Sequence, residues 1–138
     1  MAWLTRIRSR SMEPTLHDGE LVLTRSLRGG VRRGDVVVAD SRHLRRRIVK
    51  RVVGLPGERV VMADGAVLVD GLPLVEPYAS ASVYRGVFDV PDGHYLLLGD
   101  NRDVSDDARS WPVPYTGRAE LVGRLVGPSW RPHRPGTA

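Results

Sequence analysis

The chain has 138 residues, no cysteine and a net charge of +5 at pH 7. This length is sufficient for one domain with a modest core, and the lack of cysteine excludes disulfides, a thiolate nucleophile and a Cys-ligated metal. The basic balance favours an anionic partner such as phospholipid headgroups, whereas no aromatic side chains interleave with the arginines as a nucleic-acid surface would require. We therefore expect peripheral contact with an anionic membrane and no nucleic acid.

In chain order, the pattern predicts short β-strands and, at Pro14 to Asp18, no more than one helical turn. Asp64-Gly65 and Asp70-Gly71 indicate tight turns, the first of them a hairpin between two strands. The predicted strands are Leu21 to Thr24, Asp35 to Ala39, Ile48 to Val53, Val60 to Met62, Val67 to Val69, His94 to Leu98 and Leu121 to Val126. They predict an all-β domain over residues 1–127, built of coiled antiparallel sheets or a partly closed barrel.

The remaining segments are not predicted to be strands, and none is predicted to span a membrane. Residues 76–89 are ambiguous and predicted to be a loop-rich excursion, and residues 128–138 form a Pro- and Arg-rich tail predicted to be disordered. Apolar runs are far shorter than the roughly 18–20 residues of a transmembrane helix, and Met1 to Ser11 has no apolar centre of a signal peptide. Trp3, Leu4 and Ile7 are the residues expected to enter a membrane interface.

The first segment with chemical potential is Ser9-Arg10-Ser11-Met12-Glu13-Pro14-Thr15-Leu16. Pro14 fixes its own φ and restricts Glu13, so this segment is predicted to be a stiff bend after a strand. A serine at such a bend can present its hydroxyl beside backbone N–H groups that receive an oxyanion. The alternative is that Ser11 merely begins a turn.

The second segment surrounds the chain's single lysine, Lys50; the other 20 of its 21 basic residues are arginines, which are not deprotonated in proteins. On a strand, Lys50 shares a face with Ile48 and Val52, while Arg51 points away. Apolar burial lowers the pKa of a lysine, and a shift from about 10.4 to 7–8 requires roughly 3–5 kcal/mol. The alternative is a lysine on an edge strand in water.

The third segment is the polar loop Gly99-Asp100-Asn101-Arg102-Asp103-Val104-Ser105-Asp106-Asp107-Ala108-Arg109. It is expected to order a site through hydrogen bonds and Arg–carboxylate pairs. Its spacing lacks the glycine and the terminal glutamate of an EF-hand loop. We therefore predict no metal and no cofactor.

Together, the three segments resemble the motifs of the type I signal (leader) peptidases, a family of membrane-associated serine proteases with a Ser/Lys dyad. They correspond to its Ser-Met-x-Pro-Thr-Leu, Lys-Arg-Val-x-Gly-x-Pro-Gly and Gly-Asp-Asn-Arg-Asp-x-Ser-x-Asp-Ser-Arg motifs, in the same order. The resemblance runs from about Arg8 to Val126. It implies the signal-peptidase fold of coiled antiparallel sheets and the cleavage of preproteins after small residues, of the Ala-x-Ala type.

The resemblance also implies residue roles. Ser11 is the nucleophile and Lys50 the general base; the Ser9 hydroxyl and the Ser11 N–H form the oxyanion hole, and Ser105 orients the lysine. Met12 and Leu16 lie near the substrate cleft. The residues that support the loop are Asp107, Arg109, Asp100, Asn101 and Arg102.

The chain departs from the family pattern at several positions. Arg10 replaces a small residue, Ala108 replaces a serine, and Trp111-Pro112 interrupts a glycine position. The membrane anchor that precedes the serine in the family is missing from these residues. Two localisations stay open: membrane-associated on the extracytoplasmic side, as in the family, or cytoplasmic and soluble.

Three alternative functions are weighed. A Ser-His-Asp hydrolase would pair Ser11 with His94 or His17, but neither histidine has a catalytic context. A self-cleaving repressor would need a helix-turn-helix and an Ala-Gly or Cys-Gly bond, which the sequence lacks. A catalytically retired or specialised peptidase-like domain would act as a membrane- or partner-binding module.

Overall fold

In a computed structural model of the chain, the described residues are 1–77, 79, 82–102 and 107–127. Short strands dominate them, with one 3₁₀ turn at Arg118–Glu120. The strands are β1 (Ala2–Arg6), β2 (Leu21–Ser26), β3 (Val36–Ser41), β4 (Arg46–Gly54), β5 (Arg59–Ala63), β6 (Ala66–Val69), β7 (Leu72–Pro73), β8 (Gly86–Asp89), β9 (His94–Leu98), β10 (Tyr115–Gly117) and β11 (Leu121–Leu125).

The strands form two antiparallel sheets. The large sheet has the order β1-β2-β11-β3-β4-β9-β10, and the small sheet has the order β7-β6-β5-β8. The prediction of an all-β fold of antiparallel sheets is confirmed. In the described part of the chain the large sheet is open, with β1 and β10 at its edges, and does not close into a barrel.

Every predicted strand run coincides with an observed strand. The sequence did not delimit β1, β7, β8 or β10, and it indicated β1 only as a strand of unstated length before the serine bend. All four are the edge strands of their sheets. An edge strand is paired on one side only, so it needs fewer of the apolar β-formers that mark a central strand. One of these edge strands, β8, lies within residues 76–89, which were predicted to be loop-rich. The predicted tail at 128–138 lies outside the described residues.

The two predicted tight turns are confirmed. Asp64 and Gly65 have φ values of 52° and 77° and join β5 to β6, where Ala63 pairs with Ala66. Positive φ at both central residues is the mark of the type I′ turn, which matches the twist of a hairpin. Asp70 and Gly71 repeat this arrangement, with φ values of 50° and 81°.

Apolar side chains form two clusters. The first joins the two sheets and includes Val52, Val60 and Leu96. The second joins the serine segment to the large sheet; its members are Ile7, Met12, Leu16, Val22, Val36, Val38 and Leu125. The serine segment is thus held by the core. One turn is present, two residues earlier than the predicted Pro14 to Asp18, because the Leu16 N–H donates to the Met12 carbonyl at 2.9 Å.

Candidate active site

Ser11 lies at the bend that follows β1. Met12 next to it is 1% exposed, so the backbone of the bend is anchored in the second cluster. The Oγ atoms of Ser9 and Ser11 lie 3.0 Å apart, and the Ser11 N–H donates to the Ser9 Oγ at 3.3 Å. The two predicted oxyanion-hole donors, the Ser9 hydroxyl and the Ser11 N–H, therefore lie side by side next to the Ser11 hydroxyl.

Lys50 lies in β4 and is 5% exposed, opposite Val37 of β3. Ile48 and Val52, predicted on the same face, are also buried. The alternative of a lysine in water is therefore wrong. In the described residues β4 pairs with β9 only from Arg51 onward. The stretch from Arg46 to Lys50 thus has one backbone edge that β9 does not cover.

That edge faces a groove of about 910 Å³. Residues from β1 through the serine bend line one wall, and residues 46–50 of β4 line the other. Ser11 and Lys50 both line this groove, although 39 positions separate them in the chain. The arrangement places a hydroxyl and a buried amine around one space that has room for an extended peptide.

A buried ion pair ties together the three segments that the sequence singled out. The Arg51 guanidinium donates from Nε and Nη2 to the two carboxylate oxygens of Asp100, at 2.8 and 2.7 Å, and both side chains are fully buried. Arg51 also donates to the Gly34 carbonyl at 2.9 Å, and Thr15 Oγ1 donates to Asp100 at 2.6 Å. Asp100 therefore links the strand of the lysine to the bend of the serine.

Asn101 holds the serine bend directly. Its backbone N–H donates to the Ser11 carbonyl at 2.9 Å, and its Nδ2 donates to the Arg10 carbonyl at 3.0 Å. These bonds fix the peptide units on both sides of Ser11.

Asp107 and Arg102 close the polar loop on the end of β9. The Asp107 carboxylate accepts from the Gly99 N–H at 2.9 Å and from two guanidinium nitrogens of Arg109 at 2.7 and 2.8 Å. Arg102 donates to the Gly99 carbonyl at 2.7 Å and to both carboxylate oxygens of Glu76, at 2.9 and 2.8 Å. All the supporting residues that the resemblance implied in the described part of the loop thus make structural bonds.

Two of the predicted site residues, Leu16 and Ser105, are not among the described residues that line the groove. Leu16 is 1% exposed in the second cluster and does not line the groove, whereas Met12 is buried and does. Ser105 lies outside the described residues. Two positions that depart from the family pattern, Ala108 and Trp111, are buried in the first cluster, where a methyl group and a large ring supply apolar contact.

Sequence reasoning missed three partners: Arg51 and Thr15, which bind Asp100, and Glu76, which binds Arg102. The only signal for the first was the Lys-Arg pair itself, since a strand that buries both faces must also bury the arginine. Glu76 had no signal, because it lies in the ambiguous region 26 residues before Arg102.

The alternatives are constrained by the same geometry. Neither His17 nor His94 is among the residues that line the groove. Within the described ranges, no group of three or more His, Asp or Glu side chains is placed to hold a metal ion. In that same part of the chain, no helix has the length and apolar character needed to cross a bilayer.

Comparisons with known proteins bear on the same segments. Residues 2–130 match the sequence profile of the family described as "Signal peptidase, peptidase S26". Signal peptidase I of Bacillus licheniformis is 37% identical over 119 residues, which cover 75% of this chain and 64% of that protein. Signal peptidase I of Leptolyngbya laminosa is 36% identical over 143 residues, 94% of this chain and 70% of that protein.

A solved structure agrees in fold. The crystal structure of a signal peptidase I from Enterococcus faecalis aligns with a TM-score of 0.64 at 28% identity, over 71% of this chain and 98% of that one. The chain spans about two thirds of the length of the two sequence relatives. A profile match over almost all of its residues shows that the chain belongs to the signal peptidase family, peptidase S26.

Proposed function

We propose that this chain is a serine endopeptidase that cleaves signal (leader) peptides from preproteins, with Ser11 as nucleophile and Lys50 as general base. The observation that carries the proposal is the shared groove. It brings a core-anchored serine hydroxyl and the chain's single lysine, 5% exposed, to one peptide-sized space. The names of the relatives supply the substrate class.

Burial supports the role of Lys50 as a base. Removing an ammonium group from water disfavours its charged form, and Lys50 is only 5% exposed. The neutral amine takes the proton from the Ser11 Oγ as that oxygen attacks the scissile carbonyl carbon. The nitrogen then passes the proton to the leaving amine as the C–N bond breaks, which leaves an acyl-Ser11 ester and a free mature chain.

Ser9 supports the oxyanion. In the free enzyme the Ser9 hydroxyl accepts the Ser11 N–H. A substrate carbonyl oxygen takes its place as acceptor, and the Ser9 O–H turns to donate to the same oxygen. Both donors then stabilise the negative charge that develops as the tetrahedral intermediate forms.

Hydrolysis of the ester completes the cycle. Lys50, neutral again, removes a proton from a water molecule that attacks the acyl carbon, and Ser11 Oγ leaves with that proton. The released carboxylate belongs to the signal peptide. Atoms balance with one water consumed for each peptide bond broken.

The groove also supports a preference for small residues next to the cut. An extended peptide can pair its backbone with the open edge of β4 and present alternate side chains to the wall. Ile7 and Met12 line the wall of the serine bend, and Ile48 lines the wall of β4; all three are buried apolar side chains. We expect small apolar groups such as methyl to fit against them. Alanine at the first and third positions before the cut satisfies this alternation.

The test is cleavage of a preprotein with an Ala-x-Ala site, with the products identified by mass spectrometry. The parent chain is expected to cut after the second alanine. Ser11→Ala and Lys50→Arg are expected to abolish the cut, because the first removes the nucleophile and the second replaces the base with a permanent cation.

Ser26→Ala is the matched control, since Ser26 lies in β2 outside the groove; it should cleave like the parent. A Lys50→Arg variant that cleaves at the parental rate would disprove the dyad. A folded parent that neither cleaves nor acquires an acyl group on Ser11 from an acylating probe would favour the retired, partner-binding domain.

The outer face of β1 and β2 is the proposed site of contact with an anionic membrane. Leu4 and Leu23 pair across the two strands and are 63% and 42% exposed; Leu21 beside them is 51% exposed. Arg6 and Arg25 extend from the same face. Apolar side chains ringed by cations match the boundary between acyl chains and negatively charged headgroups.

Vesicle co-sedimentation tests this contact. Leu21→Glu and Leu23→Glu are expected to weaken binding to vesicles that contain phosphatidylglycerol. Leu72→Glu is the matched control, because Leu72 is 53% exposed on the small sheet. Equal loss for all three variants, or no binding by the parent, would contradict this face.

A further inference from the structure

The described lining of the groove is rich in positive charge. It includes five arginines besides Lys50, and none of the described lining residues is an aspartate or a glutamate. The five are Arg6, Arg8, Arg10, Arg46 and Arg47, and all of them are exposed. Arg8, Arg10, Arg46 and Arg47 lie on the two facing walls that flank the nucleophile and the base.

Two of these arginines pair with carboxylates that lie outside the groove. Glu13 pairs with Arg10 at 3.2 Å, and Asp40 pairs with Arg47 at 2.7 Å. Arg6 donates to a carbonyl, that of Gly19, and among the described residues no carboxylate pairs with Arg8. Arginine stays charged at any working pH, so the positive field persists when Lys50 is neutral.

We infer that the arginines of the groove make this peptidase selective for substrates with acidic residues close to the cleavage site. The inference rests on the proposed function and adds to it a charge preference that the small-residue rule does not contain. Glutamates or aspartates of a bound peptide meet a cationic rim, whereas lysines or arginines meet like charge.

The strand geometry locates the preferred positions. Along β4, Arg47 and Arg46 lie three and four residues from Lys50, which corresponds to about 10 and 13 Å at roughly 3.3 Å per residue. A peptide that pairs with this edge has the same rise. Its acidic residues should therefore act most strongly three to four positions from the scissile bond.

The expected size of the charge preference follows from the exposure of the five arginines. Ion pairs between exposed groups contribute about 0.2–1 kcal/mol each, so one favourable pair corresponds to at most about a fivefold change in kcat/KM. Two or three pairs at low ionic strength would give a ratio of roughly 10 to 100 between acidic and basic peptides. Salt should reduce it, because the Debye length falls from about 30 Å at 0.01 M to about 3 Å at 1 M.

The experiment compares three peptides with the same Ala-x-Ala core and glutamate, glutamine or lysine three and four positions from the cut. We expect kcat/KM to rank glutamate above glutamine above lysine, and the ranking to shrink at high salt. Arg8→Gln and Arg47→Gln should each lower the ratio threefold to fivefold. Arg59→Gln is the matched control, because its exposed pair with Asp89, also 2.7 Å, repeats the Arg47–Asp40 pair on the small sheet.

The same peptides are also titrated against the Ser11→Ala variant by fluorescence anisotropy, so the charge preference has a readout besides cleavage. If the parent fails to cut even the glutamine peptide, the proposed function fails, and the anisotropy ranking still decides the inference. Equal binding of all three peptides at low salt would overturn the inference. The inference would also be overturned if Arg59→Gln lowered the kcat/KM ratio as much as Arg8→Gln does. The same holds if Arg8→Gln no longer binds anionic vesicles but ranks the three peptides as the parent does.

Discussion

The two sheets bury different kinds of side chain. The strands of the small sheet bury only apolar residues, and their ion pair Arg59–Asp89 lies at the surface, 63% and 67% exposed. The large sheet and its loops bury Lys50 and the pair Arg51–Asp100, both members of which are fully inaccessible. The same Arg–Asp chemistry thus occurs in water on one sheet and in the core on the other.

Burial decides how strongly an ion pair constrains the fold. In water, the attraction of an ion pair is largely cancelled by hydration and screening. In the core, each member of the pair needs its partner, because a buried charge without one is strongly unfavourable. The pair Arg51–Asp100 therefore links the serine bend to the strand of Lys50, and its main effect is to hold these two segments together rather than to add net stability.

The largest expected effect separates these two pairs. Asp100→Ala leaves the Arg51 guanidinium buried without its carboxylate, and we expect it to lower the free energy of unfolding by about 3–5 kcal/mol. Asp89→Ala removes the exposed counterpart and is expected to leave that free energy unchanged within error. Urea titration followed by far-UV circular dichroism measures both; equal losses would show that burial does not distinguish the pairs.

The next effect concerns rate and not stability. Ser9→Ala removes one donor of the proposed oxyanion hole, and we expect kcat to fall roughly 10²–10³-fold. Ser9 is exposed, so the urea midpoint should not move. Steady-state cleavage of the glutamine peptide measures kcat, with Ser26→Ala as control; a fall below threefold would remove Ser9 from the mechanism.

A smaller effect is expected where the two sheets meet. A Cβ on Gly54 would lie 2.9 Å from the Leu96 Cβ and 3.1 Å from a methyl group of Val60. Gly54→Ala therefore overpacks the first cluster, and we expect a loss of about 1–3 kcal/mol in the free energy of unfolding. Gly30→Ala is the control, because a Cβ there meets nothing within 4 Å. If both variants unfold at the same urea concentration, the sheets are not closely packed at this point.

The smallest effect is a pH dependence at the rim of the groove. The hydrogen bond from Arg47 holds the pKa of Asp40 below its ordinary value of 3.8. Because the folded-state pKa is the lower one, this pair stabilises the fold above that value and loses its contribution as pH falls through the lowered pKa.

A carboxyl NMR titration of the parent and of Arg47→Gln measures this shift. The variant should titrate near the ordinary value, and its stability above pH 4 should differ from that of the parent by less than about 1 kcal/mol. An Asp40 that titrates identically in both proteins would contradict the ion pair.

Local chemistry explains what could be predicted from sequence. The Asp-Gly turns need two residues with positive φ, which is a property of the dipeptide and not of its surroundings. Central strands such as β3 and β4 are buried on both faces, so their valine and isoleucine runs are unmistakable. The edge strands β7, β8 and β10 lack such apolar runs, because each pairs with a neighbouring strand on one side only.

The candidate site likewise has features that local sequence predicts and features that depend on distant contacts. The residue types can be read from the chain alone: one lysine flanked by β-branched residues and one serine before a rigid bend. The folded arrangement was needed to show that these two share a groove, that Arg51 turns inward to Asp100 49 positions away, and that five arginines line the same space. Turn and strand preferences act over a few residues, whereas burial and charge pairing depend on which strands become neighbours.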